Sequence, residues 1–275
     1  MAQRLTSLDA GPDAPTRNPV VAVLRAVLPF GFLLLCVAAW EAVVVLLRVN
    51  TFVLPAPTLI FARMVRSWPE IMSNTVVTVQ ETLLGFVLGA LIGFILALLI
   101  AYSRLFEQVL YPLLVASQAV PKIAIAPLFV LWFGFGIWPK VVVTILLVFF
   151  PVVVTTAEGL MSVDRNLIDL LRSVSANPWQ VFIKVRLPHA LPQIMAGLKI
   201  AITLAVVGAV VGEWVGADKG LGYLIIFANS QLDTTLSFAA IMVLVVIGVV
   251  LFVIVDLIGR LLTPWNQVRT IDPGM

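Results

Sequence analysis

Long runs of Val, Leu, Ile, Ala and Phe, separated by short polar stretches, set the pattern of this chain. Residues 82–101, "TLLGFVLGALIGFILALLIA", carry no charged side chain, nor do residues 236–255, "LSFAAIMVLVVIGVVLFVIV". A helix that crosses the hydrocarbon core of a bilayer needs about 20 mostly apolar residues, and both runs reach that length. Residues 26–47 qualify with one acid, Glu41, and residues 194–213 with Lys199 near their start. The stretch 108–158 is too long for one crossing. Its "FGFGIWPK" at 133–140 has the Gly and Pro of a turn, which divides it into spans of about 108–133 and 139–158. The pattern predicts an all-α polytopic membrane protein with six transmembrane helices. Its parts are a first span over 23–48, an outer segment over 49–75, a core of five spans over 76–263 and a tail over 264–275.

Composition narrows the picture. Of 275 residues, 61% are hydrophobic and 11% charged, where soluble domains carry about 25% charged residues. The net charge of +3 does not point to nucleic acid, because the cations are scattered between apolar runs. Six crossings put both termini on one side, together with Arg104, Arg165, Arg172, Lys184, Arg186 and Arg260. Arg48, Arg63, Arg66, Lys140 and Lys219 fall on the other. The positive-inside rule makes the first side cytoplasmic. Residues 1–22, which open "MAQRLTSLDAGPDAPTRNPV", read as a disordered cytoplasmic lead. The apolar run after them is too long for a signal peptide and lacks a small-residue cleavage pattern. The outer stretch "PTLIFARMVRSWPEIM" (57–72) suits a short amphipathic helix on the membrane surface.

The cytoplasmic loop 159–193 is the most polar part of the core. "VDRNLIDLLRSV" (163–174) places Val163, Leu167, Leu170, Leu171 and Val174 on one helical face, with Asp164 and Asp169 largely elsewhere. In "SANPWQVFIKVRLP", Asn177 suits an N-cap and Pro178 the first helical position. The second helix, 178–186, is expected to stop at Leu187–Pro188, because a residue before proline is pushed out of helical geometry. Local chemistry alone leaves two readings of this pair: it rests on lipid headgroups, or it docks a partner.

The spacing resembles the cytoplasmic signature of bacterial ABC-importer permeases, E-A-A, three residues, G, nine residues, I-x-L-P. Asp169, Leu170 and Leu171 stand at the E-A-A positions, Ser175 at the glycine, and Val185, Arg186, Leu187 and Pro188 at the end. Both alanines are leucine here. The serine adopts a left-handed turn less readily than glycine, which leaves the docking geometry open. "AVPKIAIAPLFVLWFGFG" (119–136), "FFPVVVTTAEGLMSVD" (149–164) and "GEWVGADKGLGYLI" (212–225) are similar to the nitrate/sulfonate/taurine-type permeases. The resemblance implies a type I importer permease fold in the bacterial inner membrane, working as a homodimer. It implies two ATP-binding subunits docked on Asp164, Asp169, Leu170, Leu171, Ser175, Pro178, Trp179, Phe182, Val185, Leu187 and Pro188. It also implies an external solute-binding protein. ATP and Mg would sit on the partner ATPase subunits and no cofactor in this chain, which has no G-x-x-x-x-G-K-[ST] run.

Within the membrane, Gly85, Gly89 and Gly93 form a small-residue stripe that fits intrachain helix packing or a dimer seam. Lys122 lies between Pro121 and Pro127, where missing N–H groups distort a helix. It is open to two readings: it attracts an anionic solute, or it pairs with a carboxylate such as Glu213. The resemblance implies an outer-gate segment around Glu213, Gly220 and Gly222, and Trp132 joins Pro121, Lys122 and Pro127 as a candidate for the path. Glu81 is expected to face interfacial water, Lys199 to snorkel, and Asp256 to pair with Arg260 one turn away. Glu41 has no role at this level. His189 is the only histidine and Cys36 the only cysteine, so no histidine triad, multi-histidine metal site or disulfide framework is available. An ion-gradient-driven secondary transporter is the rival reading, disfavoured by sparse mid-span acids and the lack of evident repeats. Sequence leaves the solute open among nitrate, sulfonates, taurine and thiamine-precursor heterocycles.

Overall fold

The computed structural model describes residues 19–265, all of whose regular elements are helices. The expected disordered lead lies outside the described residues as far as residue 18, as does the tail beyond residue 265. The chain divides into two compact units, 1–59 and 60–275.

In the first unit, α1 (Pro19–Leu46) takes in residues 19–22, which the sequence had placed in the lead. Glu41 finds a role there. Its carboxylate accepts hydrogen bonds from the backbone N–H of Thr58 at 3.1 Å and from the Thr58 hydroxyl at 2.8 Å. These contacts stabilise the start of α2 (Pro57–Arg66), where N–H groups have no helical partner.

In the second unit, α3 (Trp68–Tyr102) starts well before the apolar run that announced it. Its N-terminal half carries Asn74, Thr78, Glu81 and Thr82, which hydropathy counts against a span. All four are buried against protein rather than lipid. The expected span 108–133 is not one helix. It is α4 (Arg104–Ser117) and α5 (Ala126–Phe133), joined by a non-helical segment over 118–125. Pro121 stands in that break and Pro127 in the first turn of α5, as their missing N–H groups require. The turn after α5 is shorter than expected. Gly134, at φ 73°, leads into α6 (Ile137–Met161). The remaining elements are α7 (Arg165–Ser173), α8 (Pro178–Val181), α9 (Leu187–Gly216), α10 (Leu221–Ser230) and α11 (Thr234–Leu262).

A π-helical turn, Phe182–Arg186, joins α8 to α9, so the helix does not stop at Leu187–Pro188. Leu187 keeps helical dihedrals and donates its N–H to the Phe182 carbonyl, five residues back rather than four. The wider ring accommodates Pro188, which has no N–H to contribute. A single helical path therefore runs through Pro178–Gly216, 39 residues.

Among the described residues, four helices are long and apolar enough to cross a membrane: α3, α6, the α8–α9 path and α11. The chain is thus an integral membrane protein by the length and composition of its helices. Its core brings Val148 and Val152 of α6, Ala201, Ile202 and Ala205 of α9, and Leu251 and Val255 of α11 into one cluster, with Phe86 and Ala90 of α3 against it. The glycine stripe of α3 is spent on this packing. A Cβ at Gly89 would lie 2.8 Å from Val148 Cβ and 3.2 Å from the Ile145 backbone, and one at Gly93 would lie 2.7 Å from the Phe149 carbonyl. Gly85 meets Thr144 as closely. From the other side of α6, Gly208 of α9 approaches the Thr144 backbone, so α6 is clasped between two backbones.

Replacing Gly89 by alanine should destabilise the protein by about 1–3 kcal/mol through overpacking. Gly248→Ala, with nothing within 4 Å of the new carbon, should leave stability unchanged or slightly raised. Thermal unfolding of the two variants in the same detergent separates these outcomes.

Candidate functional site

Three polar constructions interrupt the apolar fold, one at each level of the core. The first is the loop between α6 and α9. Asp164 caps α7, accepting from the N–H of Asn166 at 2.9 Å. Asn177 caps α8 in a reciprocal box: its side chain accepts from Gln180 N at 2.8 Å, and the Gln180 side chain accepts from Asn177 N at 2.9 Å. Between the helices, Ser175 sits at φ 61° and Ala176 donates its N–H to the Leu171 carbonyl at 3.0 Å. That is a Schellman-type helix end, with serine where glycine is usual. The expected apolar face of α7 is split. Ile168 and Leu171 turn inward against Val163, Val181 and Val185. Leu167, Leu170 and Val174 point outward, Leu170 at 63% and Val174 at 70% exposure, and Trp179 of α8 is exposed at 66%.

The loop is pinned to the C-terminal end of α3. Phe182 lies between Tyr102 and Trp179, with ring centroids 6.0 Å and 5.7 Å away, and the Arg186 guanidinium stands 5.0 Å from the Tyr102 ring centroid. Pro188 continues the helix into α9, where Leu187 packs near Leu160, Ala190 and Ile194. His189 shares a 3.2 Å hydrogen bond with the Ser162 hydroxyl. At the same end Asp256 accepts from both Lys199 at 3.0 Å and Arg260 at 2.8 Å.

The second construction is the break between α4 and α5. Lys122 does not pair with Glu213. Its ammonium donates to the Gln118 amide oxygen and stands 5.6 Å and 6.0 Å from the ring centroids of Phe150 and Phe149. Phe149 is near the midpoint of α6, so this cation stands level with the middle of that helix. Trp132, on α5, is exposed and packs its ring against Phe129 at 5.7 Å, away from these contacts.

The third construction is at the opposite end of the core, beside the N-terminal half of α3. Glu81 does not face water. It is 1% exposed and pairs with the equally buried Lys140 at 2.9 Å. Beside it, Glu213 of α9 accepts from the Thr78 hydroxyl at 2.6 Å and from the Gly222 N–H. Asn74 accepts from Gly220 N and Thr78 Oγ1 from Leu221 N, both at 2.8 Å. The first N–H groups of α10, which no helical carbonyl reaches, are therefore taken by side chains of α3 and α9. Gly220 has φ 117°, and a Cβ there would strike the Glu213 carboxylate. Nearby, Arg63 of α2 holds Asp233, the cap of α11, at 2.7 Å.

Sequence reading paired Glu213 with Gly220 and Gly222 but missed Asn74, Thr78 and the Glu81–Lys140 pair. The signal was present. Stepping back from Gly85 by helical spacing gives Glu81, Thr78 and Asn74, all on the same buried stripe. Tyr102, which anchors the loop, carried no such signal.

Comparison with known proteins gives a consistent result. Residues 85–267 match the family described as binding-protein-dependent transport system inner membrane component. A probable ABC transporter permease protein of Haemophilus influenzae is 41% identical over 86% of this chain and 95% of its own length. The formylaminopyrimidine transport permease of Halalkalibacterium halodurans is 38% identical over 88% of this chain and 97% of its own. A putative aliphatic sulfonates transport permease of Bacillus subtilis is 35% identical over 84% of each. Among solved structures, a chain of an amino acid ABC transporter with histidines superposes with a TM-score of 0.59 at 18% identity, covering 74% of this chain and 98% of that one. A chain of the inward-facing MetNI methionine ABC transporter gives 0.57 at 21%, with the same coverage.

Three substitutions test these sites. Lys140→Met leaves Glu81 buried without its partner and should cost about 3–5 kcal/mol; adding Glu81→Gln should restore much of that loss. Ser175→Gly removes the left-handed penalty and should gain up to about 1 kcal/mol. Thermal unfolding in detergent reads all three variants.

Proposed function

The chain belongs to the binding-protein-dependent transport system inner membrane component family, and from that premise we propose that it is the membrane permease subunit of an ATP-driven importer. The carrying observation is the two-sided construction of the α7–α8 pair. Its inner side is locked to α3 and α9 through Ile168, Val181, Phe182 and Tyr102, while its outer side presents Leu167, Leu170, Val174 and Trp179. An exposed apolar edge on a rigidly held polar loop fits a protein partner.

On this reading two copies of the chain form the translocation path, six crossings each, with both termini in the cytoplasm of a bacterial cell. Two ATP-binding subunits dock on the α7–α8 edge and an external binding protein delivers the solute. The chain itself contributes no catalysis. ATP and Mg belong to the partner subunits, whose closure pushes the loop and switches access across the membrane. Relatives named for sulfonates, taurine, riboflavin and formylaminopyrimidine make a small organic anion or a heterocycle of thiamine-precursor type the proposed cargo.

Isolation from native membranes in mild detergent should yield ATP-binding subunits in equal number to this chain. Leu170→Asp with Trp179→Ala should remove those subunits and abolish uptake while the permease stays folded. Recovery of a folded chain alone, or uptake unaffected by the double substitution, overturns the reading.

A further inference from the structure

The cations of the described spans differ in one respect. Lys140 has Glu81 at 2.9 Å and Lys199 has Asp256 at 3.0 Å. Lys122 has no ion-pair partner among the described residues; it has an amide oxygen and two phenyl faces. Polar groups kept inside a membrane span mark pathways when they lack a structural partner. The backbone around Lys122 points the same way. Residues 118–125 are held by short turns, such as Ala124 N to the Pro121 carbonyl at 2.9 Å, rather than by helix. Such backbone at mid-bilayer depth is tolerated where it is buried in protein or borders a water-filled cavity. Val120 and Ile123, on either side, are 46% and 54% exposed, so the segment is not sealed within its own subunit.

We infer that Lys122, with Gln118, Phe149 and Phe150, recognises an oxyanion head group of the transported solute, a sulfonate or a carboxylate, midway through the membrane. The missing counter-ion is then the cargo. Gln118 accepts one ammonium proton and leaves two for the anion, and the rings hold the ammonium without neutralising it. A permanent carboxylate here would cancel the attraction, and a cationic solute would be repelled. The direction of transport rests on the importer reading; the charge at the site does not.

The test measures the local field with soluble probes. In a Cys36→Ser background, which removes the single native cysteine, Ile123→Cys and, separately, Val120→Cys are introduced into the complex isolated from native membranes. Each is modified with anionic 2-sulfonatoethyl and cationic 2-(trimethylammonio)ethyl methanethiosulfonate. The anionic-to-cationic rate ratio should fall about tenfold on Lys122→Gln, even at the dielectric of bulk water, and should persist in Lys122→Arg. A ratio indifferent to Lys122→Gln overturns the inference. So does failure of both reagents to reach either cysteine, with or without ATP. Failure of the importer reading shows separately, as absence of ATP-binding subunits from the preparation, and leaves the ratio intact.

Discussion

The structure depends on one constraint: at membrane depth a polar group must find its partner within protein. The N-terminus of α10 shows how this operates. Its N–H groups are claimed by Asn74, Thr78 and Glu213, which come from two different helices. Those side chains can approach because Gly220 and Gly222 carry none. The same rule accounts for the Glu81–Lys140 pair beside them. It also accounts for the cap that Glu41 places on Thr58.

At the opposite end the constraint relaxes, and the loop can combine polar caps with exposed apolar side chains. Asp164, Asn177 and Gln180 secure the helix starts, and the turn at Ser175 sets the angle between them. The aromatic contact from Phe182 to Tyr102 ties the result to α3. These contacts tie the exposed edge of the loop to the ends of α3 and α9.

Much of this was legible in the sequence, for identifiable reasons. Apolar runs located α3, α6, α9 and α11, because lipid contact demands hydrophobicity over a fixed length. Asn177 and Pro178 marked the start of α8 because capping is local chemistry. Hydropathy failed where burial is against protein: it missed the polar N-terminal half of α3 and took α4 and α5 for one span. The rule that a residue before proline leaves the helix failed at Leu187, because the π-turn supplies a geometry the rule does not include. Lys122 was visible as an oddity, but its partners were not, since Phe149 and Phe150 are distant in sequence and bear no charge.

The continuous path Pro178–Gly216 has a mechanical consequence. At 1.5 Å per residue it is a rod about 58 Å long, with Trp179 near one end and Glu213 near the other. Moving as one body, a path of that length would turn a tilt of about 5° at one end into a swing of about 5 Å at the other. The carboxylate that holds α10 in place thus stands at the opposite tip of this path from Trp179.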